Sequence, residues 1–417
     1  MSAAALVTLG LLAADALTSE KAVELALANS PTLRAVSQRV PEETARGDVA
    51  TALENPQFLV QNLRSDRLIT PGVTRQPYSA HPFANTSLWL KWAPPNPFVN
   101  SARRTEASHR VDEAEAEVEE ARRGLVARVK RLHATLLSLA RQLELSRTAL
   151  GLRAELAALA KRRVAERAAR GWDQSLAELD EFEAKTQHVE LERKRRETMR
   201  ELLAELGLPA GTDLEIIGDA TPCALPSRSP TELAGQAVET DPTLRIHRAR
   251  AATAEARQLE ARLALVPWFD YVQAGYVLAS DERPAYASLR LGVSLPLLNW
   301  NGRKVDLFSA QKLREDYTRE AARRALVNDV EQTLADIRED AALVEQYRRA
   351  EPLLTAESRA QLDQALAAGQ ASLVEVALIE SRSLSARRAG LRTELHCKLS
   401  LIELDRLVGP GEKGGGQ

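Results

Sequence analysis

Cysteine, methionine and aromatic residues are scarce in this 417-residue chain. Only 4% of its side chains are aromatic, and it has two cysteines and two methionines. Cys223 and Cys397 are too few for a disulfide framework or a cysteine-based zinc site. The six histidines show no i,i+4 pair and no other metal-ligand spacing. We therefore predict no metal site and no other cofactor.

The chain also lacks a charge excess of either sign and long apolar runs. Its 56 Lys and Arg residues nearly balance 58 Asp and Glu residues, which argues against a nucleic-acid-binding protein. No internal run of 18 apolar residues is present, so a bundle of transmembrane helices is excluded. Nucleophile elbows, glycine-rich phosphate loops and HExxH motifs are missing as well. We therefore predict that the protein is not an enzyme.

The chain contains two proline-poor stretches of roughly a hundred residues each. No proline lies between Pro97 and Pro209, and only Pro352 lies between Pro296 and Pro410. Apolar residues recur there with alternating spacings of four and three, which predicts long coiled-coil helices. We predict one break in each stretch, at 149–151 and at 351–353. The stretches would then form two antiparallel helical hairpins, at about 100–207 and 301–408.

Twelve of the 17 aromatic residues fall in two short windows, 58–98 and 268–300. Each window contains alternating apolar and polar residues, which is the two-residue period of a β-strand with one apolar face. The four predicted strands cover about 56–65, 84–93, 267–279 and 285–296. Strands of this length can cross a membrane when tilted, although a small soluble β-subdomain would show the same patterns.

The two halves of the chain resemble each other. Pro31-Thr32-Leu33-Arg34 recurs as Pro242-Thr243-Leu244-Arg245, and similar matches keep an offset near 200 residues. A tandem repeat is the simplest explanation. We predict a signal peptide at 1–16, a first repeat at 17–210, a linker at 211–230, a second repeat at 231–408 and a flexible tail at 409–417.

Four strands cannot close a barrel, and hydrocarbon does not tolerate an open sheet edge. If the strands lie in a membrane, several protomers must each contribute four, and three protomers would give twelve strands. The alternative from another class is a soluble periplasmic coiled-coil adaptor or scaffold. That alternative does not explain why paired strands rich in aromatic residues occur twice at equivalent positions.

Three segments, in order within the repeat, carry a resemblance to the TolC-like outer-membrane efflux proteins of Gram-negative bacteria. Residues 22–33 (AVELALANSPTL) resemble the opening helix of that family, and residues 294–303 (SLPLLNWNGR) resemble its strand-to-helix exit. Residues 368–376 (AGQASLVEV) are similar to its pore-constricting segment. The resemblance covers nearly the whole mature chain.

The resemblance implies a mainly α fold: a homotrimer with a 12-stranded transmembrane β-barrel and a long periplasmic α-helical tunnel. It also implies an outer-membrane location in contact with lipid, and docking to a periplasmic adaptor and an inner-membrane pump. The function expected is a passive exit duct of a tripartite efflux or type I secretion system.

The same resemblance suggests candidate site residues. Glu375 matches the first acidic position of the constriction, Leu378 occupies the second, and Glu178 and Glu181 take related places in the first repeat. An acidic residue facing the lumen of a trimer would form a ring of three that filters ions. Adaptor contact is expected at two hairpin tips, whose candidate residues are Leu150, Gly151, Leu152, Pro352, Leu353 and Leu354. Interfacial aromatic girdles are expected from Trp89, Trp92, Trp268, Tyr276 and Trp300.

Overall fold

The structure of the chain is a computed structural model. It describes residues 16–62, 86–212, 214–218, 223–278, 284–296, 298–350 and 373–409, together with Gln361, Gln364 and Ala368. The predicted signal peptide up to residue 15, the predicted tip residues Pro352, Leu353 and Leu354, and the predicted tail from residue 410 lie outside the described residues.

The described residues form nine helices and four strands. The first half contains α1 (Ser19–Asn29), α2 (Pro31–Ser37), α3 (Arg39–Thr51), β1 (Gln57–Asn62), β2 (Thr86–Trp92), α4 (Pro97–Ala165) and α5 (Gly171–Glu205). The second half contains α6 (Pro230–Thr240), α7 (Pro242–Leu263), β3 (Phe269–Val277), β4 (Tyr286–Val293), α8 (Gly302–Ala350) and α9 (Leu373–Val408). The prediction of a mainly helical chain with four strands is confirmed.

Helix α4 corrects the predicted hairpin. It runs without interruption for 69 residues, about 104 Å at the α-helical rise, and passes straight through the break predicted at 149–151. The chain turns instead between Ala165 and Gly171, where Arg167 has a left-handed backbone with φ of 60°. A lone glycine costs a helix only about 1 kcal/mol, too little to end one whose other residues favour it.

Two compact units make up the chain, and each contains segments from both halves. The first unit contains the described residues of 1–36, 117–243 and 321–417, and the second contains those of 37–116 and 244–320. The core of the first unit is a buried cluster that brings α1, α4, α5 and the following linker together. Its members are Leu17, Ala22, Ala26, Leu125, Val129, Leu136, Leu202, Leu203, Leu206 and Leu214.

A disulfide bond in the first unit joins the linker to the last helix. Cys223 and Cys397 lie 174 residues apart in sequence, and their Cα atoms are 5.9 Å apart. Cys397 is fully buried in α9. Two cysteines are too few for a disulfide framework, and their pairing was not predicted from the sequence.

All four strands belong to the second unit and form one antiparallel sheet in the order β1-β2-β3-β4. The pairing of β2 with β3 joins the two halves of the chain, with Trp89 opposite Gly275. In the described residues β1 pairs only with β2 and β4 only with β3, so both outer strands present an unpaired edge.

Candidate functional site

The two faces of the sheet differ in character. The cross-strand register places one set of apolar residues on a single face, and most of that set is exposed: Phe58, Val60, Leu90, Trp92, Tyr276, Leu289 and Leu291. The opposite face is mainly polar and contains Gln57, Gln61, Ser87, Trp89, Lys91, Gln273, Ser288 and Arg290. A soluble sheet normally buries its apolar face, and this one exposes it.

Trp89 is the centre of the polar face. It is only 3% exposed, and its indole Nε1 donates a hydrogen bond to Ser87 Oγ at 2.8 Å. The Arg290 guanidinium lies 4.1 Å from the centre of the Trp89 ring, a cation–π contact. The ring covers Gly275 on the neighbouring strand, where any Cβ would overlap it. Glycine at 275 therefore allows a tryptophan to lie flat on this face.

Four helices continue the four strands and pack side by side in the same order. They are α3, the first part of α4, α7 and the first part of α8. Gly47 of α3 lets Ala107 of α4 approach closely, and Arg103 of α4 donates to Glu260 of α7 at 2.8 Å. Lys312 of α8 reaches Glu255 of α7 at 2.9 Å. The helix row thus follows the strand order.

Buried carboxylates bridge neighbouring helices of this row. Glu106 accepts from Arg110 on its own helix at 2.6 Å and from Arg257 of α7 at 2.9 Å. Glu113 accepts from Arg250 of α7 at 2.7 Å. Ion pairs with partly buried carboxylates contribute more than exposed pairs, because water screens them less. These bridges fix the lateral packing of α4 against α7.

A cavity of about 480 Å³ opens on one side of the row, and residues from all four helices line it. The first and last helices of the row both contribute, so the row curves and the cavity lies on its concave side. Six arginines and three glutamates supply the charge: Arg39, Arg46, Arg110, Arg250, Arg257, Arg314, Glu43, Glu113 and Glu315.

The acidic side chains at this cavity are less exposed to solvent than the basic ones. The side chains of Glu43, Glu106, Glu113 and Glu315 are 9–19% exposed, whereas those of Arg46, Arg110, Arg250, Arg257 and Arg314 are 29–72% exposed. The carboxylates therefore lie beneath the guanidinium groups, and the surface that the cavity presents to solvent is cationic.

The Glu315 carboxylate has a perturbed pKa. Burial raises that pKa, but hydrogen bonds from His247 Nδ1 at 3.1 Å and from Arg314 Nη2 at 2.6 Å outweigh it and hold the pKa below its usual value. Glu315 therefore stays ionised and keeps His247 of α7 joined to α8.

These arginines were not among the predicted site residues, although the sequence contains a signal for them. Arg39 and Arg46 are seven residues apart, as are Arg250 and Arg257. Seven residues return a side chain to the same face of a helix. Arg250 also follows Arg39 by 211 residues, the offset that separates Pro242 from Pro31. A search for charged residues kept at the repeat offset would have found them.

The predicted pore residues lie in the first unit. Glu375 is exposed in the first turn of α9, and Glu178 is exposed on α5, where it accepts a hydrogen bond from Gln174 at 2.7 Å. Glu181 is partly buried on α5. The role of these three residues in a constriction stays a prediction.

The predicted first tip is wrong in its position. Leu150, Gly151 and Leu152 lie inside the continuous helix α4, about 14 residues before it ends at Ala165. The turn that follows, residues 166–170, contains Arg170, whose guanidinium lies 4.9 Å from the Trp172 ring centre. This turn replaces 150–152 as the end of the first hairpin.

The predicted interfacial aromatic residues divide into two groups. Trp89 faces the polar side of the sheet, because its strand position alternates with those of Leu88 and Leu90, and its place in a girdle stays a prediction. Trp92, Trp268 and Trp300 cluster by sequence at the strand ends that join helices. Trp92 Nε1 donates to the Glu54 carbonyl oxygen at 3.1 Å, and Trp268 Nε1 donates to that of Pro94 at 3.0 Å. Tyr276 is exposed near the other end of β3.

Within the described residues no group of three His, Cys, Asp or Glu side chains is arranged to hold a metal ion. Among the helices that the structure describes, none combines the length and the apolar character needed to span a membrane.

Solved outer-membrane channels share this fold. The structure superposes on VceC of Vibrio cholerae with a TM-score of 0.74 and 17% identity, covering 94% of this chain and 96% of that one. For a membrane protein from Pseudomonas aeruginosa the TM-score is 0.74 and the identity 19%, with 94% of this chain and 92% of that chain covered. For the open state of the MtrE outer membrane channel of Neisseria gonorrhoeae the TM-score is 0.70 and the identity 17%, with 94% of this chain and 88% of that chain covered. The fold is therefore that of outer-membrane channel proteins.

A family model matches part of the sequence. Residues 22–208 match the family described as "Outer membrane efflux protein". The resemblance to outer-membrane efflux proteins, drawn from residues 22–33, 294–303 and 368–376, is confirmed by this match together with the shared fold. The comparison with curated proteins found no match.

Proposed function

We propose that the protein is an outer-membrane exit duct: a passive homotrimeric channel of a tripartite efflux or type I secretion system in a Gram-negative bacterium. The exposed sheet is the observation that supports this proposal most directly. It exposes its apolar face and both of its edges, and a four-stranded sheet cannot close on itself. Three copies supply twelve strands, which bury every edge, turn the apolar faces to lipid and enclose the polar faces around water.

The helical part extends the duct. Helix α4 alone measures about 104 Å, several times the thickness of a bilayer, and begins directly after β2. In the trimer the helices of three protomers form a periplasmic tunnel below the barrel. Trp92, Trp268 and Trp300, at the junction, lie at the level of the lipid headgroups. The two halves act as tandem repeats that each provide two strands and their helices.

The duct does no chemistry and depends on partners for energy. We propose that the turn at 166–170 and the predicted second tip, Pro352 to Leu354, contact a periplasmic adaptor that connects the duct to an inner-membrane pump. A soluble coiled-coil scaffold, the alternative, would share the helices. It would not expose seven large apolar residues on one face of a sheet.

Particle mass and location test this proposal. Cells expressing the protein are fractionated, the outer membrane is solubilised in mild detergent, and the particle is weighed by multi-angle light scattering with detergent subtracted. Three protomers per particle, recovered from the outer membrane, are expected. A detergent-free monomer or dimer in the soluble fraction would refute the duct and support the scaffold.

Glu375 is the proposed constriction residue. Three copies at one level of a trimer would repel each other, attract cations and narrow the path. We expect Glu375→Ala to raise single-channel conductance in planar bilayers and to weaken block by divalent cations. Glu178→Ala and Glu181→Ala test the related positions in the same assay. Unchanged conductance and block would remove the residue concerned from the gate.

A further inference from the structure

The charge of the cavity in the second unit indicates the class of ligand that it binds, which the channel fold alone does not specify. Six arginines line it against three glutamates, and Glu42 and Glu106 also pair with lining arginines. The lining carboxylates are the more buried partners, so the exposed atoms are the guanidinium nitrogens. Guanidinium groups bind oxyanions through paired, charge-assisted hydrogen bonds.

A second feature points to a hydrogen-bond acceptor in the cavity. Thr253 lines the cavity and is 7% exposed, and its hydroxyl Oγ1 has no hydrogen-bond partner in the part of the chain that the structure describes. A buried hydroxyl without a partner costs stability unless a ligand or solvent satisfies it. Glu43 Oε2 also has no hydrogen bond there, but Arg110 Nη1 lies 3.9 Å from it and offsets its charge.

Repeat-equivalent positions show which way the cavity faces. Arg39 corresponds to Arg250 and Arg46 to Arg257, both pairs 211 residues apart, and all four residues line the cavity. In a ring of equivalent helices, equivalent positions face the same side. Since the cavity lies on the concave side of the helix row, that side would face the interior of the tunnel in the proposed trimer.

We propose that this cavity is an anion-binding segment of the conduit, selective for small oxyanions with two or more negative charges. Lys91 and Arg290, on the polar face of the sheet, extend the cationic lining into the barrel. The preferred cargo or counter-ion of this duct is accordingly anionic. The claim that the cavity is part of a conduit depends on the proposed function; the claim that it binds anions does not.

The test uses a double variant, Arg257→Gln/Arg314→Gln, chosen so that no carboxylate loses all its partners. Glu106 keeps Arg110, and Glu315 keeps His247. The matched control, Arg122→Gln/Arg319→Gln, removes the same charge from two exposed arginines that do not line the cavity. Arg314→Gln alone, whose side chain is 72% exposed, serves if the double variant does not fold.

Planar-bilayer recordings in a potassium chloride gradient give the ion selectivity. The wild-type channel is expected to pass chloride in preference to potassium, and the double variant to lose at least about half of that preference, while the control keeps it. Inorganic pyrophosphate is expected to block the wild-type current, with a half-blocking concentration about tenfold higher in the double variant. A cation-selective wild type, or equal effects in variant and control, would overturn the proposal.

Calorimetric titration of the detergent-solubilised protein with pyrophosphate separates the two proposals. If no channel is recorded but pyrophosphate binds the wild type about tenfold more tightly than the double variant, the duct fails and the anion site stands. If channels form but pyrophosphate neither binds nor blocks, the duct stands and the anion site is refuted.

Discussion

The disulfide between Cys223 and Cys397 makes a quantitative prediction about stability. The bond closes a loop across 174 residues of sequence, and cross-linking a loop of that length removes denatured-state entropy equivalent to about 5 kcal/mol at 25 °C. Measured effects often fall below this estimate, so we expect Cys223→Ser to lower the free energy of unfolding by about 2 to 5 kcal/mol. Cys397 is fully buried, and a free cysteine is tolerated there as a small apolar residue.

Thermal unfolding, followed by helical ellipticity in mild detergent, measures this loss. For a unit the size of the first one, 2 to 5 kcal/mol corresponds to a decrease in Tm of about 4 to 9 °C. Dithiothreitol should lower the Tm of the wild type to that of Cys223→Ser and leave the variant unchanged. The variant thus serves as its own control for any direct effect of the reductant.

Two results would refute the reasoning. Mass spectrometry of unreduced protein from an oxidising compartment could find two free thiols, which would show that the cysteines do not pair. Alternatively, the bond could be present and the Tm unchanged by its removal. The linker would then be held to α9 by its other contacts so firmly that the cross-link adds nothing.

Three further predictions concern the helix, the sheet and a buried histidine. Gly151→Ala should stabilise the protein by about 0.5 to 1 kcal/mol in a denaturant titration, because Gly151 lies inside α4 with open space around it; a loss would restore the turn predicted there. Gly275→Ala should destabilise by about 1 to 3 kcal/mol, because the new methyl group overlaps the Trp89 ring; an unchanged midpoint would show that the ring can move. His133 Nε2 forms a hydrogen bond with the Leu17 carbonyl at 3.0 Å, but burial lowers the pKa of His133 despite that bond. Neutral His133 therefore contributes its full share of the free energy of unfolding above pH 6.5, and this share is lost as the pH falls below that value. The acid-side loss in a pH series of unfolding midpoints should shrink in His133→Gln.

The strands were predictable from sequence because alternation is a local signal. In β4, Leu289 and Leu291 alternate with Ser288 and Arg290, and the structure puts the two sets on opposite faces. The hairpin turn was not predictable in the same way. Gly151 resembled a break, but helix propensity is a weak signal, and the neighbouring residues of α4 outweigh one glycine. The actual turn at 166–170 contains no proline or glycine, and the glycine that follows it, Gly171, already belongs to α5.

The arginine-lined cavity escaped prediction for a different reason. A net charge of −2 over 417 residues describes the sum of the charges and not their arrangement. Once the helices pack in a row, the carboxylates of Glu106 and Glu113 lie between two helices and are largely buried, while the stems of their arginine partners carry the charge outward to water. A balanced composition can therefore produce a cationic surface where helices are joined by such ion pairs. The sign of that surface follows from which partner is shorter, and here Glu106 and Glu113 reach less far than Arg257 and Arg250.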